Sequence, residues 1–590
     1  MKPKPTANLL WTTAFVTALA DAGLQAVCIA PGSRSTPLVL AFAAEPRIKI
    51  YRHLDERSAA FFALGLALAG DKPAAVVCTS GTAAANFFPA IIEAHMSQIP
   101  LLALTADRPH ELRHSGANQT IDQVKLFGDH VLWAVDLPVP VDVSEEDLLP
   151  IRNYALTVVR AYQLANGLRK GPVHLNLPFR PPLEPGSSNQ YSVNSKQYSV
   201  DSKQVSSERP TVHCSEPTAQ ALAELVNKYE RGLIVCGPRS PGGDFPAAVA
   251  DLARQSGYPL LADPLSGLRF GPWVSDTAVC SSYESFMQAS LNRPEPELIL
   301  RFGALPVSKW LNSYLSRCRP HRRIHVRENG VWADDSQLTT DFIQANEIAF
   351  CRQLVELLPG RGETAWLAAV MATEQTTRQI QQDAIAQSPF FDGALAGAIV
   401  AGLPAGANLF VGNSLPIRHL DQYGAAQAKP LNLFGLRGAS GIDGNVSAGL
   451  AVAAASQQPT VIWLGDITFY HDMNGLLALT HSLQPAGNVT FVISNNHGGG
   501  IFRRLPIAQF DPPFTDLFLT PHDLDFGLVA DLYGLRYAKI GNLAEFEAVL
   551  TAAVADPAPY LLDVVTDGHS DDQIRRQINA IVKERLSINN

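Results

Sequence analysis

Residues 488–502 read NVTFVISNNHGGGIF. An apolar, β-branched run ends there in two asparagines and three glycines, the pattern of a buried strand that delivers polar groups to a turn. Two chemistries compete for that turn. As a unit, HGGG matches the loop in which lipases and esterases gather backbone N–H groups around an alkoxide. Such an enzyme also needs a nucleophile on a GxSxG elbow. The chain offers GNSLP and GASGI, and neither closes with glycine. The asparagines are therefore the informative part.

A second apolar run, TVIWLGDIT (460–468), ends in Gly465-Asp466, about thirty residues before the asparagines. Taken singly, GD and NN are ordinary strand-closing turn residues. Taken together, an Asp and an Asn at two strand ends of one sheet place oxygen ligands on one hard cation. Mg²⁺ accepts few protein oxygens and completes its octahedron with phosphate and water. The glycines let backbone come close to a phosphate.

The totals frame this site. A chain of 590 residues holds roughly three or four domains. Apolar residues make up 46% and charged residues 17%, an ordinary globular balance. A net charge of −9 argues against nonspecific binding to nucleic acid or an anionic membrane. Cys28, Cys78, Cys214, Cys236, Cys280, Cys318 and Cys351 are scattered and odd in number, without a CxxC pair. That argues against a disulfide framework or zinc site and fits a reducing, cytoplasmic setting. MKPKPTANLLWTTAFVTALADAGL has threonines where a signal peptide needs an unbroken apolar run, so an amphipathic first helix is expected. No run of 18 apolar residues is present, hence no transmembrane span is expected.

Strand-like runs alternate with helical patterns along three blocks. In the first they are LQAVCIAPGS, RIKIYRHLDE, AAVVCTSGTA, PLLALTADRP and GPVHLNLP. The alternation predicts α/β architecture: three doubly wound domains built on parallel sheets, with ligands at the carboxyl ends of strands. The expected boundaries are 1–185, a flexible linker at 186–210 with the repeat QYSVNSK/QYSVDSK, a central domain 211–355, a connecting segment 356–388 and a third domain 389–590. VCGPRSPGG in the central block lacks GxGxxG and is a weak nucleotide signal.

The Asp466/Asn495-Asn496 pair resembles the diphosphate-binding signature of thiamine-diphosphate enzymes, with Ile467 where the usual GDG has its last glycine. HLDERSAAFFALGLALAG adds Glu56, the acid such enzymes place beside N1′ of the aminopyrimidine. Without the resemblance, Glu56 is a helix-start acid behind an Asp55 cap. APGSRSTPL, HLDERSA, TSGTAAANFFPA, TADRPHELRHSGANQ, GNSLPIR, RGASGIDG and NNHGGGIF together resemble the 2-succinyl-5-enolpyruvyl-6-hydroxy-3-cyclohexene-1-carboxylate synthase family of menaquinone and phylloquinone biosynthesis. Both outer blocks carry the likeness, the central one less distinctly.

The resemblance implies a decarboxylating carboligase that uses thiamine diphosphate with Mg²⁺ or Mn²⁺ and joins 2-oxoglutarate to isochorismate by conjugate addition. Glu56 is then the catalytic acid, and Asp466, Asn496 and the Gly498 carbonyl are the metal ligands. Ser80, Gly81, Gly465, Asn495 and Gly499 contact the cofactor, and Ile442 is the apolar wedge beneath it. Arg108, Lys309, Arg418 and Arg437 receive substrate carboxylates. Arg34 belongs to one polar cluster with Ser33, Asn118 and Gln119, Ser414 faces the site, and Ile501 and Phe502 wall it. Arginine suits carboxylates for its fork of donors. The family shares each site between two subunits, which implies a homodimer or homotetramer. His497 has no assigned role and is expected to tolerate change. The rival assignment is another thiamine-diphosphate carboligase or decarboxylase of the acetohydroxyacid synthase type, against which the arginine set and RGASGIDG speak.

Overall fold

The computed structural model describes residues 6–144, 148–185, 211–290, 293–481 and 488–588. The stretch 186–210, read from sequence as a linker, lies outside the described residues. Among the described residues three six-stranded sheets are present, and every strand pair in them is parallel.

The first sheet comprises β1 (Ala26–Ile29), β2 (Lys49–Arg52), β3 (Ala74–Cys78), β4 (Leu101–Asp107), β5 (Trp133–Asp136) and β6 (Pro172–Pro178) in the order β2-β1-β3-β4-β6-β5. The second comprises β7 (Gly232–Cys236), β8 (Leu260–Ala262), β9 (Val279–Cys280), β10 (Leu298–Phe302), β11 (Arg322–Val326) and β12 (Asp341–Ile343) in the order β12-β11-β10-β7-β8-β9. The third comprises β13 (Asn408–Val411), β14 (Asn432–Phe434), β15 (Thr460–Gly465), β16 (Val489–Asn495), β17 (Arg536–Ile540) and β18 (Tyr560–Val565) in the order β14-β13-β15-β16-β18-β17. Helix-covered parallel strands are buried on both faces, which is why AAVVC and LLALTAD carry no exposed side chain.

The chain clusters into two compact units. One comprises Met1–Arg209, Leu436–Gln457 and Tyr470–Gly487; the other comprises Pro210–Gly435, Gln458–Phe469 and Asn488–Asn590. In the first unit, the helix Glu56–Gly70 packs on the helix Asn445–Ser456. Gly65 makes this approach feasible, since a Cβ there would lie 2.5 Å from the Ala448 carbonyl oxygen. The first helix, Ala7–Ala22, departs from the expected amphipathic pattern. Asn8, Thr12 and Thr17 are buried beside Leu9, Phe15 and Val16. The Thr12 hydroxyl donates to the Asn8 and Pro37 carbonyls, and such back-bonding lets a threonine enter a core without an unmet donor.

In the second unit a buried ion pair joins the middle and C-terminal sequence blocks. Arg269 donates to the Asp421 carboxylate at 2.6 Å, to the carbonyls of Ala262, Leu420, Asp421 and Gly424, and to the Tyr283 hydroxyl. Every donor of this buried guanidinium is engaged, the condition under which a buried pair is tolerable. All seven cysteines are free and buried. Among the described residues, no helix is long and apolar enough to cross a membrane.

Candidate active site

In the second unit the site is built where the third sheet changes direction. Strands β13 and β15 are neighbours but run on to opposite sides of the sheet, and crevices at such switch points are where doubly wound folds take ligands. Gly412, Asn413 and Ser414 leave β13 there, and Gly465 and Asp466 leave β15. Ser414 is held at φ 72, a left-handed conformation costly for a side-chain-bearing residue and typical of functional turns. A Cβ on Gly465 would meet nothing within 4 Å, so the crevice is open at this point.

Register brings the next strand's asparagines alongside. Gly465 pairs with Ser494, which places Asn495 and Asn496 beside Asp466. The two asparagines then divide their tasks. Asn495 is fixed: its amide donates to Asp563 at 2.9 Å and its oxygen accepts the His497 N–H. Burial lifts the Asp563 carboxyl above its ordinary value. Asn496 keeps a buried Oδ1 without a hydrogen-bond partner. Asp466 accepts the Gly498 N–H at 2.9 Å and faces His522 at 3.3 Å, and this carboxylate raises the His522 imidazole above its usual pKa. Carboxylate, amide oxygen and nearby backbone form the donor set of a hard cation. Groups of three or more His, Cys, Asp or Glu that could hold a metal ion are absent among the described residues.

The glycine run has a second cause beside phosphate. A Cβ on Gly498 would lie 2.3 Å from the Leu519 carbonyl, and one on Gly499 would lie 2.5 Å from that of Phe518. The Gly499 N–H donates to Leu519 at 2.7 Å. Ile501 and Phe502 follow, half-buried, with the Phe502 ring 5.7 Å from Phe518. A cavity of about 590 Å³ opens beside this loop, lined also by Arg503, Asp567 and Arg576. Of the cations assigned from sequence, Arg418 donates to the Ser414 carbonyl at 2.6 Å. Lys309 is exposed at the start of its helix, its ammonium 5.7 Å from the Trp310 ring.

In the first unit, Glu56 is the first residue of the helix Glu56–Gly70, capped by Asp55 through the Arg57 and Ser58 N–H groups. Its carboxylate is half-buried and carries no hydrogen bond among the described residues, while its neighbours are tied down. Arg57 donates to the His471 carbonyl at 2.7 Å, and Asp55 accepts from the Asn474 amide. Ser58 donates to Asp472 at 3.2 Å. The other Asp472 oxygen accepts the Ser447 N–H at 2.8 Å, and burial pushes this carboxyl up to about 6. Asp472 is not picked out by any motif in the sequence.

Ser80 and Gln119 exchange two hydrogen bonds, Ser80 Oγ to the Gln119 carbonyl at 3.0 Å and Gln119 Nε2 to the Ser80 carbonyl at 2.9 Å. The Gly81 N–H donates to Gln123 at 2.8 Å. Arg108 donates to the Asn118 carbonyl at 2.8 Å. Arg34 stands apart from the cluster expected for it. It is buried, and its guanidinium donates to the Phe179 carbonyl at 2.9 Å, not to Ser33, Asn118 or Gln119. Ser33 is exposed, and a partner 145 residues away is not visible in a local motif. Arg437 and Ile442 lie in the loop before the helix Asn445–Ser456, both half-buried.

Comparison with known proteins bears on these strand-end groups. Family models match at residues 11–126 (thiamine pyrophosphate enzyme, N-terminal TPP binding domain), 192–411 (middle domain of thiamine pyrophosphate) and 420–564 (thiamine pyrophosphate enzyme, C-terminal TPP binding domain). Proteins named 2-succinyl-5-enolpyruvyl-6-hydroxy-3-cyclohexene-1-carboxylate synthase are similar throughout. That of Roseiflexus castenholzii is 48% identical, covering 98% of this chain and 99% of its own. Those of Geobacillus kaustophilus and Halobacterium salinarum are 43% and 42% identical, with 98% and 97% of this chain and 98% of each relative covered. The chain belongs to the 2-succinyl-5-enolpyruvyl-6-hydroxy-3-cyclohexene-1-carboxylate synthase family.

The crystal structure of a benzoylformate decarboxylase from Polynucleobacter necessarius shares the fold, with a TM-score of 0.68 at 15% identity over 95% of this chain and 99% of that one. As a member of this synthase family the chain is a thiamine-diphosphate enzyme. The open crevice at Gly465 and the unpartnered oxygen of Asn496 fit a diphosphate with its cation.

Proposed function

We propose that the chain decarboxylates 2-oxoglutarate and adds the resulting succinyl unit to isochorismate in a 1,4-addition. The products are CO₂ and 2-succinyl-5-enolpyruvyl-6-hydroxy-3-cyclohexene-1-carboxylate, a step of menaquinone or phylloquinone biosynthesis in the cytoplasm. The observation that carries this reading is the Asp466 carboxylate, tied to the Gly498 N–H, beside the unpartnered Asn496 Oδ1 at an open strand-end crevice, in a chain similar end to end to synthases of that name.

Asp466, Asn496 through Oδ1 and the Gly498 carbonyl would hold Mg²⁺, or Mn²⁺, against the diphosphate. Thiamine diphosphate, when bound, supplies the carbon nucleophile for the ketone and accepts the electrons that departing CO₂ leaves behind. Glu56 holds and moves the proton at N1′ of the aminopyrimidine, and a carboxylate without a hydrogen bond among the described residues is available for that task. Ser80, Gly81, Gly465, Asn495 and Gly499 orient the cofactor, and Ile442 supports it from below. Arg108, Lys309, Arg418 and Arg437 receive substrate carboxylates, with Ser33, Arg34, Asn118, Gln119 and Ser414 nearby and Ile501 and Phe502 excluding water. Two copies assemble as a homodimer, or pair again as a homotetramer, with Glu56 of one copy serving the diphosphate site of the other. Exposed Leu517, Leu528 and Leu532 supply apolar surface for such contacts. The domains are taken as 1–185, 211–355 and 389–590.

Product identification tests the reading. Purified protein with Mg²⁺ and thiamine diphosphate should form the succinylated product only when 2-oxoglutarate and isochorismate are both present. Faster consumption of pyruvate than of 2-oxoglutarate, indifferent to isochorismate, would establish the acetohydroxyacid synthase type instead.

A further inference from the structure

The helix Phe88–Ser97, FPAIIEAHMS, carries one acid, Glu93, on its buried side. A lone buried carboxylate in an apolar helix is expensive unless its oxygens are met by donors. Here they are met from a distant part of the chain. Oε1 accepts the Gly438 N–H at 2.8 Å and the Ser97 hydroxyl at 2.6 Å, and Oε2 accepts the Ala439 N–H at 2.6 Å. Two successive backbone N–H groups are thus gripped by the two oxygens of one carboxylate. The same loop is pressed onto the helix end: a Cβ on Gly438 would lie 2.6 Å from the Ser97 hydroxyl and 2.8 Å from the Met96 Cβ. Beside the clamp lies a cavity of about 210 Å³, lined by Phe61, Ile92, Glu93, Ala439 and Asp443, so packing alone does not wedge the loop in place.

The gripped residues follow Arg437 directly and precede Ile442 by a few positions. We propose that Glu93 is a positioning residue: its carboxylate fixes the backbone at Gly438–Ala439 and thereby sets where Arg437 and Ile442 present their side chains. This rests on the reading of Arg437 as a substrate contact and Ile442 as a cofactor contact. The chemistry requires a carboxylate. Glutamine has one acceptor oxygen for two N–H groups and turns an NH₂ donor toward the second, and alanine meets neither. Charge-assisted bonds to backbone N–H are also the strong kind.

The test uses the full chain loaded with Mg²⁺ and thiamine diphosphate. Glu93→Gln should raise KM for 2-oxoglutarate about tenfold and Glu93→Ala about a hundredfold, with kcat changed less than KM. Gly438→Ala should raise KM likewise with Glu93 intact, because its Cβ would meet Ser97 and Met96 and push the loop off the helix end; it carries the test if the Glu93 variants do not fold. A structural role alone would lower the melting temperature and the yield of active enzyme at unchanged KM. Hydrogen exchange at the Gly438 and Ala439 amides gives a readout independent of the reaction and should quicken in Glu93→Gln. Wild-type KM in the folded variants, or unchanged exchange there, overturns the proposal. A wild-type enzyme inert toward 2-oxoglutarate with quickened exchange in Glu93→Gln would leave the clamp standing and sink the assigned reaction.

Discussion

The first and third sheets have the same strand order, each with its second strand at an edge, its first beside its third and its sixth inside its fifth, yet their switch-point crevices differ. In the first sheet the crevice between β1 and β3 is filled. A Cβ on Gly32 would lie 2.2 Å from the Thr79 Cβ, the Thr79 hydroxyl accepts the Arg34 N–H at 3.2 Å, and the Arg34 guanidinium turns inward to Phe179. In the third sheet the equivalent crevice is tight at Gly412, where a Cβ would lie 2.7 Å from Leu464 Cδ2, but open on its other wall at Gly465. One topology thus yields a closed platform that presents Glu56 and an open slot fit for a diphosphate. The central sheet, in the dinucleotide-binding order, is closed in a third way: a Cβ on Gly237 would lie 1.8 Å from the Ala304 carbonyl, so its first turn is pressed against the loop after β10.

The largest expected effect tests the platform. Glu56→Gln should lower kcat by about 10²–10⁴-fold while Mg²⁺ and thiamine diphosphate still bind, as calorimetric titration would show. Unchanged turnover would remove Glu56 from the chemistry. The paired glycines test filled against open directly. Gly465→Ala should leave the melting temperature of cofactor-free protein near wild type and weaken thiamine diphosphate about tenfold or more. Gly32→Ala should do the reverse, costing about 1–3 kcal/mol of stability in denaturant unfolding with the cofactor's Kd nearly unchanged. If both variants behave alike, the contrast between the crevices is wrong.

One helix carries both kinds of carboxylate, Asp466 at its start by the open slot and Asp472 at its buried end. Burial raises Asp472 from 3.8 to about 6, so between these values the folded chain holds a proton that the unfolded chain has released. Stability from this group is present at acid pH and is lost as pH rises through about 6. Arg57, at 3.9 Å, is the charge that offsets part of this, together with the hydrogen bonds from Ser447 and Ser58. Asp472→Asn keeps the acceptor for Ser447 and should flatten stability against pH between about 4 and 6, a difference on the order of 2 kcal/mol in urea unfolding. A slope identical to wild type would refute it. The smallest effect concerns His497, exposed but held at φ 60. Its tolerance should be selective: His497→Asn within about 0.5 kcal/mol of wild type, His497→Val worse by about 1–2 kcal/mol, measured by thermal melts.

Much of this was legible in the sequence where one short stretch contained both the pattern and its consequence. TVIWLGD and NVTFVISNN mark buried strands and the polar groups at their ends, and the structure places those ends side by side. The strands that escape notice are β5, β9, β12, β14 and β17 at sheet edges, the three-residue β8, and β18, whose Asp563 interrupts an apolar run. Strands β5, β12, β14 and β17 are only partly buried, so their composition does not stand out, and β9 is only two residues long. Arg34 looks like its neighbours in motif, yet its guanidinium also donates to the distant Phe179 carbonyl. Glu93 and Asp472 look like surface acids, because the N–H groups that justify their burial lie hundreds of residues away or on another helix. Patterning reports which faces are apolar; it is silent on which distant donor meets a given acceptor.

The Arg269–Asp421 pair has a consequence for how the chain is divided. By topology the molecule is modular, with three sheets, and family models match the chain in three pieces. By energetics the middle piece is not a free-standing module. Excised at 211–355, it would keep Arg269 and lose Asp421 and three of the carbonyls that the guanidinium binds. An orphaned buried charge costs several kcal/mol, comparable with the whole stability of a domain of that size. The excised piece should therefore fail to fold independently, and the two blocks that share this pair should unfold in a single cooperative transition.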